Sequence, residues 1–123
     1  MVGGGSSWSV TSGAYTYTIN GTSYSSSYQL YFGRSGSTSS RCIQIALDGP
    51  CTIYIAARSG SSSSYSSRTV YAYVNSSSIG SMTVSSNSSV SVSTISYTGT
   101  GGTLSVYGSG SVYIYHIEID YNV

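Results

Sequence analysis

The stretch that decides the fold runs from Arg41 to Val74 and reads RCIQIALDGPCTIYIAARSGSSSSYSSRTVYAYV. Apolar and polar residues alternate on both sides of the Asp-Gly-Pro sequence at 48–50. Alternation with a period of two, interrupted by turn residues, is typical of paired antiparallel strands, so this stretch predicts a β-hairpin. A serine-rich loop follows, and residues 68–74 predict a third strand. Antiparallel geometry would bring the start of this strand close to the end of the 51–58 strand.

The same alternation sorts the side chains of these strands onto two faces. Ile53 and Ile55 share the inward face of the second strand, and Val70, Ala72 and Val74 share the inward face of the third. The outward face is the best candidate for a functional surface. Its members are Tyr54, Arg58, Tyr71 and Tyr73.

The low charge of the chain limits the classes of partner that it suits. At 123 residues the chain predicts one domain, and 6% of its residues are charged, against about 25% in a typical protein. A net charge of +1, with four arginines and no lysine, does not suit a nucleic-acid-binding protein. The polar surface comes from serine, threonine, glycine and tyrosine instead. Such a surface suits neutral or weakly charged polymers, or other copies of the chain.

The start of the sequence and its hydropathy pattern are relevant to the cellular location of the protein. No apolar run reaches the roughly 18 residues of a membrane-spanning helix, so no membrane partner is expected. No signal peptide is visible at the start. The composition favours an extracellular, secreted protein. We expect residues 1–13 to be a flexible N-terminal segment and residues 14–123 to form the folded domain.

Short alternating segments separated by glycine and serine turns recur along the chain, and no stretch shows a helical period. Asn20-Gly21 predicts a two-residue hairpin turn. Shifts in the alternation predict β-bulges at Ser93-Thr94 and at Tyr115-His116. The expected fold is all-β, a two-sheet antiparallel β-sandwich of jelly-roll type with about eight to ten strands.

The two cysteines are not expected to form a disulfide. Cys51 shares the inward face with Ile53 and Ile55, whereas Cys42 falls on the face opposite to its isoleucine neighbours. Side chains on opposite faces of a sheet do not approach within bonding distance unless a bulge intervenes. We expect Cys51 to be a small buried apolar residue and Cys42 to be a free thiol.

The residues that could support catalysis are too few for an enzyme. Glu118 and Asp120 share one face of a strand near His116, but no nucleophile motif, phosphate-binding loop or dinucleotide-binding motif is present. We interpret these carboxylates as a solvated strand end and expect no catalysis. No cofactor is expected. A structural calcium ion, held by Asp side chains and backbone carbonyls, stays open although no pattern indicates it.

Tyrosines and arginines are the residues that suggest binding. A tyrosine ring packs against the apolar face of a sugar while its hydroxyl reaches the polar rim. Tyr54, Tyr71 and Tyr73 are expected to share one face on neighbouring strands. Arg58 and Arg68 are expected to converge at one rim, where guanidinium groups would recognise the carboxylates of an acidic sugar. Ordinary cross-strand tyrosine pairing and strand-end solvation of the arginines explain the same residues without a ligand.

Four segments resemble a known family of modules. They are SSRCIQIALDGPCTIYIAARSGSSSS (39–64), SRTV (67–70), ISYTGTGGTLSVY (95–107) and GSVYIYHIEI (110–119). Together they resemble the pectin-binding, family 77-like carbohydrate-binding modules appended to bacterial pectate lyases and related secreted polysaccharide-degrading enzymes. The resemblance extends over residues 24–119.

The resemblance implies a non-catalytic module that holds an enzyme domain of its parent chain against plant cell wall polysaccharide. In the pectin-binding relatives, basic side chains recognise the uronate carboxylates of homogalacturonan, and lysines are prominent among them. Because this chain has no lysine, Arg41, Arg58 and Arg68, which fall in the matching segments, are expected to substitute.

A second interpretation is a self-assembling structural or adhesive subunit, such as a filament, pilus or phage surface protein. An uncharged surface with strand edges that lack lysine would favour association between edges. Size-exclusion chromatography and binding to polysaccharide distinguish the two interpretations.

Overall fold

A computed structural model describes residues 8–60, 67–84 and 89–121. Strands dominate these residues, and none of the described segments is a helix that could span a membrane. The strands are β1 (Trp8–Ile19), β2 (Thr22–Phe32), β3 (Ile43–Leu47), β4 (Cys51–Ser59), β5 (Arg68–Val74), β6 (Ser77–Val84), β7 (Ser91–Tyr97), β8 (Gly102–Gly108) and β9 (Val112–Tyr121).

The strands form two antiparallel sheets. The five-stranded sheet has the order β1-β2-β9-β4-β7, and the four-stranded sheet has the order β3-β8-β5-β6. This arrangement confirms the predicted all-β, two-sheet antiparallel sandwich, and the nine described strands fall within the predicted number. Residues 61–66, in the predicted serine-rich loop, lie outside the described residues.

The core between the sheets is built from the inward half of each alternation. Ile53 and Ile55 contribute from β4, Val70 from β5, and Leu104 and Val106 from β8. All five side chains are at most 1% exposed. Because burying one such side chain stabilises a fold by about 1.5–3 kcal/mol, the alternation itself provides most of the driving force for closing the sandwich.

The predicted hairpin at Asp48–Pro50 is wrong. β3 pairs with β8, whereas β4 pairs with β7 and β9, so the 48–50 link carries the chain from one sheet to the other. Both flanking strands point apolar residues at the same core, but from opposite sides of it. Alternation reports which face of a strand is buried and says nothing about the partner of that strand.

The β1–β2 hairpin is confirmed at Asn20-Gly21. Both turn residues have positive φ values, 48° and 82°, as a tight type I′ turn requires. β1 starts at Trp8 and pairs along β2, so the strand begins before the predicted domain boundary at residue 14. Residues 1–7 of the expected flexible segment lie outside the described residues.

The predicted bulge at Tyr115-His116 is confirmed. The pairing of β4 with β9 shifts between Ala56 and Ala57, which face His116 and Ile114 and leave Tyr115 as the extra residue. The bulge predicted at Ser93-Thr94 is wrong, because β7 keeps a regular register with β4 throughout.

The apolar residues of β7 and of the segment before it lie on both faces of the sheet instead. Ile95 and Tyr97 pack in the main core. Val90 packs in a second apolar cluster on the outside of the five-stranded sheet, and Val92 is exposed.

The second cluster forms because the far half of the β1–β2 hairpin folds over the outer face of the five-stranded sheet. β2 pairs with β9 only over Leu30–Phe32. Beyond that point Tyr17 and Ile19 pack onto Ala56 of β4, on the side away from the main core. A register shift between Ser12 and Tyr15 interrupts the hairpin near the point where it leaves the sheet.

Both cysteines are free and fully buried. Cys51 lies in the main core, as predicted. Cys42 is a free thiol, also as predicted. Burial raises the pKa of both thiols, so neither is an activated nucleophile.

Candidate functional site

The predicted tyrosine face is divided between the two sheets. Tyr54 lies on β4 in the five-stranded sheet and packs against the second apolar cluster beneath the hairpin. Tyr71 and Tyr73 lie on β5 in the four-stranded sheet. The prediction that the three share one face is therefore wrong, since their strands belong to opposite layers of the sandwich. Tyr71 and Tyr73 stay together, and Tyr54 is on the other side of the molecule.

Arg58 does not lie at an exposed rim, because it is 9% exposed beneath the hairpin. Its Cζ lies 4.5 Å from the ring centroid of Tyr15 and 4.0 Å from that of Tyr113. Its Nε donates a hydrogen bond to Tyr115 Oη at 2.7 Å, and its Nη2 donates to Gln29 Oε1 at 3.3 Å. Tyr115 Oη in turn donates to Gln29 Oε1. Arg58 therefore joins the hairpin to the sheet.

This environment also affects the phenol of Tyr115. Burial raises its pKa, and the adjacent Arg58 guanidinium partly opposes that rise. The buried arginine and the partly buried phenol therefore satisfy each other's hydrogen-bonding capacity.

The other two predicted arginines do not join Arg58. Arg68, at the start of β5, donates from Nη1 to the carbonyl of Ser67 at 3.0 Å. Arg41 adopts a positive φ of 48° and donates from Nη1 to the carbonyl of Ser35 at 3.2 Å. The predicted convergence of Arg58 and Arg68 is wrong, because β4 and β5 belong to different sheets and Arg58 points beneath the hairpin.

The outer face of the four-stranded sheet carries a compact group of tyrosines. The ring centroid of Tyr107, on β8, lies 5.3 Å from that of Tyr71 and 5.7 Å from that of Tyr73. Tyr71 and Tyr107 are direct partners across the β5–β8 pairing. We name Tyr71, Tyr73 and Tyr107 the tyrosine platform. All three rings are partly exposed to solvent.

The strands that carry the tyrosine platform have little charge. Within β3, β5, β6 and β8 the single charged residue is Arg68, at the start of β5. Burial and a hydrogen bond with Tyr73 raise the pKa of Tyr107, so the Tyr107 phenol is neutral at physiological pH. Chemically, the three side chains offer aromatic rings and phenol hydroxyls to a partner. The loop that carries Arg41 packs beside them, since a Cβ at Gly36 would meet both Arg41 O and Tyr107 Cβ.

Tyr107 was missed in the sequence analysis, although a signal for it exists. Leu104 and Val106 predict the inward face of β8, which places Tyr107 outward. What the sequence does not contain is the pairing of β8 with β5, which puts Tyr107 opposite Tyr71.

The acidic residues hold no evident metal site. Among residues 8–60, 67–84 and 89–121, no group of three or more His, Cys, Asp or Glu side chains is placed to hold a metal ion. His116 Nε2 lies 3.4 Å from Glu118 Oε1, and its Nδ1 lies 3.4 Å from Tyr17 Oη.

Comparisons with known proteins identify the fold and no family. No protein-family model matches the sequence, and the search of curated proteins found no match. Among solved structures, the tandem CBM51 modules of the family 98 glycoside hydrolase from Streptococcus pneumoniae superpose with a TM-score of 0.58 and 11% identity. That match covers 88% of this chain, which spans only 36% of the matched chain.

Two single modules match over nearly their whole length. The carbohydrate-binding module CBM36 in complex with calcium and xylotriose has a TM-score of 0.56 and 13% identity, covering 88% of this chain and 90% of that one. The CBM36-1 domain of a multidomain xylanase from the hindgut metagenome of Trinervitermes trinervoides has a TM-score of 0.58 and 12% identity, covering 94% and 98%. This chain therefore has the β-sandwich fold found in carbohydrate-binding modules.

Proposed function

We propose that this chain is a non-catalytic carbohydrate-binding module and that the tyrosine platform is its binding surface. The observation that carries the proposal is the contact of Tyr71, Tyr73 and Tyr107, all partly exposed, on the outer face of the four-stranded sheet. Sugar rings have apolar C–H faces and polar rims, which aromatic rings and phenol hydroxyls match. The likeness in fold to carbohydrate-binding modules supports the same assignment.

The proposed ligand is a neutral polysaccharide of the plant cell wall, in preference to pectin. Recognition of homogalacturonan was predicted from arginines that meet at one rim, but Arg58 is buried beneath the hairpin and Arg41 and Arg68 bond to nearby carbonyls. None of the three platform residues is itself an arginine. One module of the same fold is in complex with xylotriose, so xylan is the first polymer to test.

The proposed class of module also suggests a cellular location and a parent chain. We infer an extracellular location and an enzyme domain elsewhere in the parent chain, which the module would hold against its substrate. Calcium has no part in the proposal, although one structure of the same fold contains it, because the described residues offer no group of ligands for a metal ion.

Affinity electrophoresis in gels that contain soluble xylan, galactan or homogalacturonan tests the proposal. We expect retardation by a neutral polymer and about a fivefold weaker association constant for Tyr73→Ala, since one stacked ring contributes on the order of 1 kcal/mol. Tyr28→Ala is the matched control, because Tyr28 is a 68% exposed tyrosine on the other sheet. Equal effects of the two substitutions would contradict the platform.

Salt separates the neutral ligand from the acidic one. Binding through rings and hydroxyls should be insensitive to added sodium chloride, whereas binding between arginine and carboxylate is screened. Retardation by homogalacturonan that salt weakens would favour the arginine-based interpretation instead.

Self-association remains the second candidate function because of one observation. β1 is an edge strand of the five-stranded sheet, and no residue within Trp8–Ile19 is charged. Long edges without charged residues favour pairing between copies. Size-exclusion chromatography at increasing protein concentration tests this candidate, and a concentration-independent monomer would contradict it.

A further inference from the structure

The outer face of the five-stranded sheet has a partly exposed polar end beside the covering hairpin. Tyr54 of β4 and Glu118 of β9 are direct partners in the sheet. Tyr24, on β2 near the hairpin turn, lies over the same strand, and its ring centroid is 4.7 Å from that of His116. These four residues, Tyr24, Tyr54, His116 and Glu118, are named the Tyr24–Glu118 cluster.

The Glu118 carboxylate is held by two neighbouring groups but has hydrogen-bonding capacity left for a ligand. Tyr24 Oη donates to Glu118 Oε1 at 3.4 Å, and His116 Nε2 approaches the same oxygen at 3.4 Å. Both distances exceed the usual 2.7–3.2 Å of a strong hydrogen bond. Within the described residues both contacts fall on Oε1, so Oε2 keeps its capacity to accept. The Glu118 side chain is 33% exposed, and that of His116 is 23% exposed.

The two residues that contact Glu118, His116 and Tyr24, are themselves supported by Tyr17. Tyr17 Oη lies 3.4 Å from His116 Nδ1, and the rings of Tyr17 and Tyr24 are stacked with centroids 5.9 Å apart. Tyr17 belongs to the buried second cluster, so His116 and Tyr24 both rest on a packed support. A supported carboxylate, an imidazole and partly exposed rings are therefore presented together.

This combination matches the chemistry of a neutral sugar. A carboxylate accepts hydrogen bonds from two adjacent hydroxyls, and charged acceptors form the stronger hydrogen bonds. The rings of Tyr24 and Tyr54 supply aromatic surface for the C–H face of the sugar. Asp120 lies two residues further along β9, about 7 Å away on the same face. The two carboxylates would repel a uronate, so an acidic sugar does not suit this position.

We propose that the Tyr24–Glu118 cluster is a second carbohydrate-binding site, for a neutral sugar with two adjacent hydroxyl groups. The inference rests on the proposed carbohydrate-binding function, but it uses none of the residues of the tyrosine platform. The platform lies on the outer face of the four-stranded sheet, and the cluster lies on the outer face of the five-stranded sheet. Two sites on opposite faces of one module bind two different polysaccharide chains and cross-link them.

The test isolates the cluster by removing the platform. In the Tyr71→Ala/Tyr73→Ala background we expect retardation in soluble xylan to persist, at reduced strength. Adding Glu118→Gln should weaken the remaining association constant about tenfold, because it removes the charge of an acceptor while keeping its shape. Asp120→Asn is the matched control, since it removes the same charge from the same face of β9 without touching Tyr24 or His116. It should leave retardation unchanged.

A second variant and a second measurement protect the test against loss of folding. Tyr24→Phe keeps the ring and removes the hydroxyl that bonds Glu118, and it should weaken the association constant severalfold with an unchanged melting temperature. Wild-type protein should make a solution of soluble xylan turbid by cross-linking. The Tyr71→Ala/Tyr73→Ala variant and the Glu118→Gln variant should each bind xylan without turbidity.

The outcomes separate the second site from the proposed function. Equal retardation of Glu118→Gln and Asp120→Asn, or complete loss of binding in the Tyr71→Ala/Tyr73→Ala variant, overturns the second site and leaves the platform standing. Binding that Glu118→Gln abolishes and the platform variant leaves intact supports the cluster and overturns the platform. A wild-type protein that no xylan, galactan or homogalacturonan gel retards overturns carbohydrate binding altogether, and the second site with it.

Discussion

The outer faces of the two sheets both carry tyrosines, but a hairpin covers those of one sheet, whereas the described residues leave those of the other partly exposed. On the five-stranded sheet, Tyr17 and Ile19 of the hairpin pack onto Ala56, and Arg58 lies buried between aromatic rings. On the four-stranded sheet, Tyr71 and its neighbours remain partly exposed. The same residue type therefore serves as packing on one face and as accessible surface on the other.

The difference lies in how far the strands of each sheet stay paired. β2 pairs with β9 only over Leu30–Phe32, although β9 continues to Tyr121. The far half of the β1–β2 hairpin therefore leaves the sheet, and folding over the outer face buries its apolar side chains. In the four-stranded sheet, β5 stays paired with β6 and with β8 up to Val74, and no described strand of that sheet folds back over its outer face.

The largest effect should come from removing the apolar contact between hairpin and sheet. Ile19→Ala should lower the free energy of unfolding by about 3 kcal/mol, because the side chain is 1% exposed and its removal leaves a cavity. Val10→Ala on the same strand should cost less than about 0.5 kcal/mol, since Val10 is 62% exposed. Urea unfolding measures both. Equal costs for the two variants would show that the hairpin does not pack on the sheet in solution.

The next largest effect should come from Arg58. Arg58→Ala should lower the free energy of unfolding by about 2 kcal/mol, because Tyr115 and Gln29 lose a buried charged donor and two rings lose a cation. Arg34→Ala, in an exposed loop, is the matched control and should have little effect. Arg58→Ala should also raise the pKa of Tyr115 further, which a titration of tyrosinate absorbance would detect. If stability is unchanged and homogalacturonan binding is lost, Arg58 acts as a ligand-binding residue.

The smallest effect should be a loss of stability at alkaline pH, shared by both faces. Burial raises the pKa of Tyr115 on the covered face, of Tyr107 on the open face, and of the thiols of Cys42 and Cys51. At lower pH these groups are neutral in both the folded and the unfolded protein, so the stabilisation from burying them is fully present there. As the pH rises above the ordinary values of 9.0 for the thiols and 10.0 for the phenols, the unfolded chain ionises first. The free energy of unfolding then falls with rising pH.

Urea unfolding at a series of pH values from about 8 to about 11 would measure this dependence. In a Cys42→Ala/Cys51→Ala variant the decline should begin at higher pH, because only the phenols remain to ionise. A stability that is constant over this range would contradict the burial of these groups.

Much of the fold could be predicted from single segments. The inward positions of β4, β5 and β8, the type I′ turn at Asn20-Gly21 and the bulge at Tyr115 follow from local patterns. The bulge at Ser93-Thr94 was wrong because Val90 is apolar for a different reason, its contact with the second cluster. When the apolar residues of a segment shift from even to odd positions, the sequence does not show whether the strand contains a bulge or is apolar on both faces.

The candidate site was predictable only in part. Tyr71 and Tyr73 were identified from their own strand, but Tyr54 and Arg58 were assigned to the same surface because their strands are close in the sequence. Glu118 and His116 were identified as neighbours on one strand, whereas the approach of Tyr24 from the hairpin is visible only in the structure.

The sequence by itself determined which side of each strand is apolar, where the tight turn lies and that no helix forms in the described segments, because these depend on neighbouring residues and the period of the backbone. The tertiary structure alone decided which strands pair, that the 48–50 link changes sheets, and that the long hairpin covers the outer face of the five-stranded sheet. The physical reason is that a strand offers the same hydrogen-bonding edge to many partners. The choice among them follows from burying all the apolar faces of the chain at once.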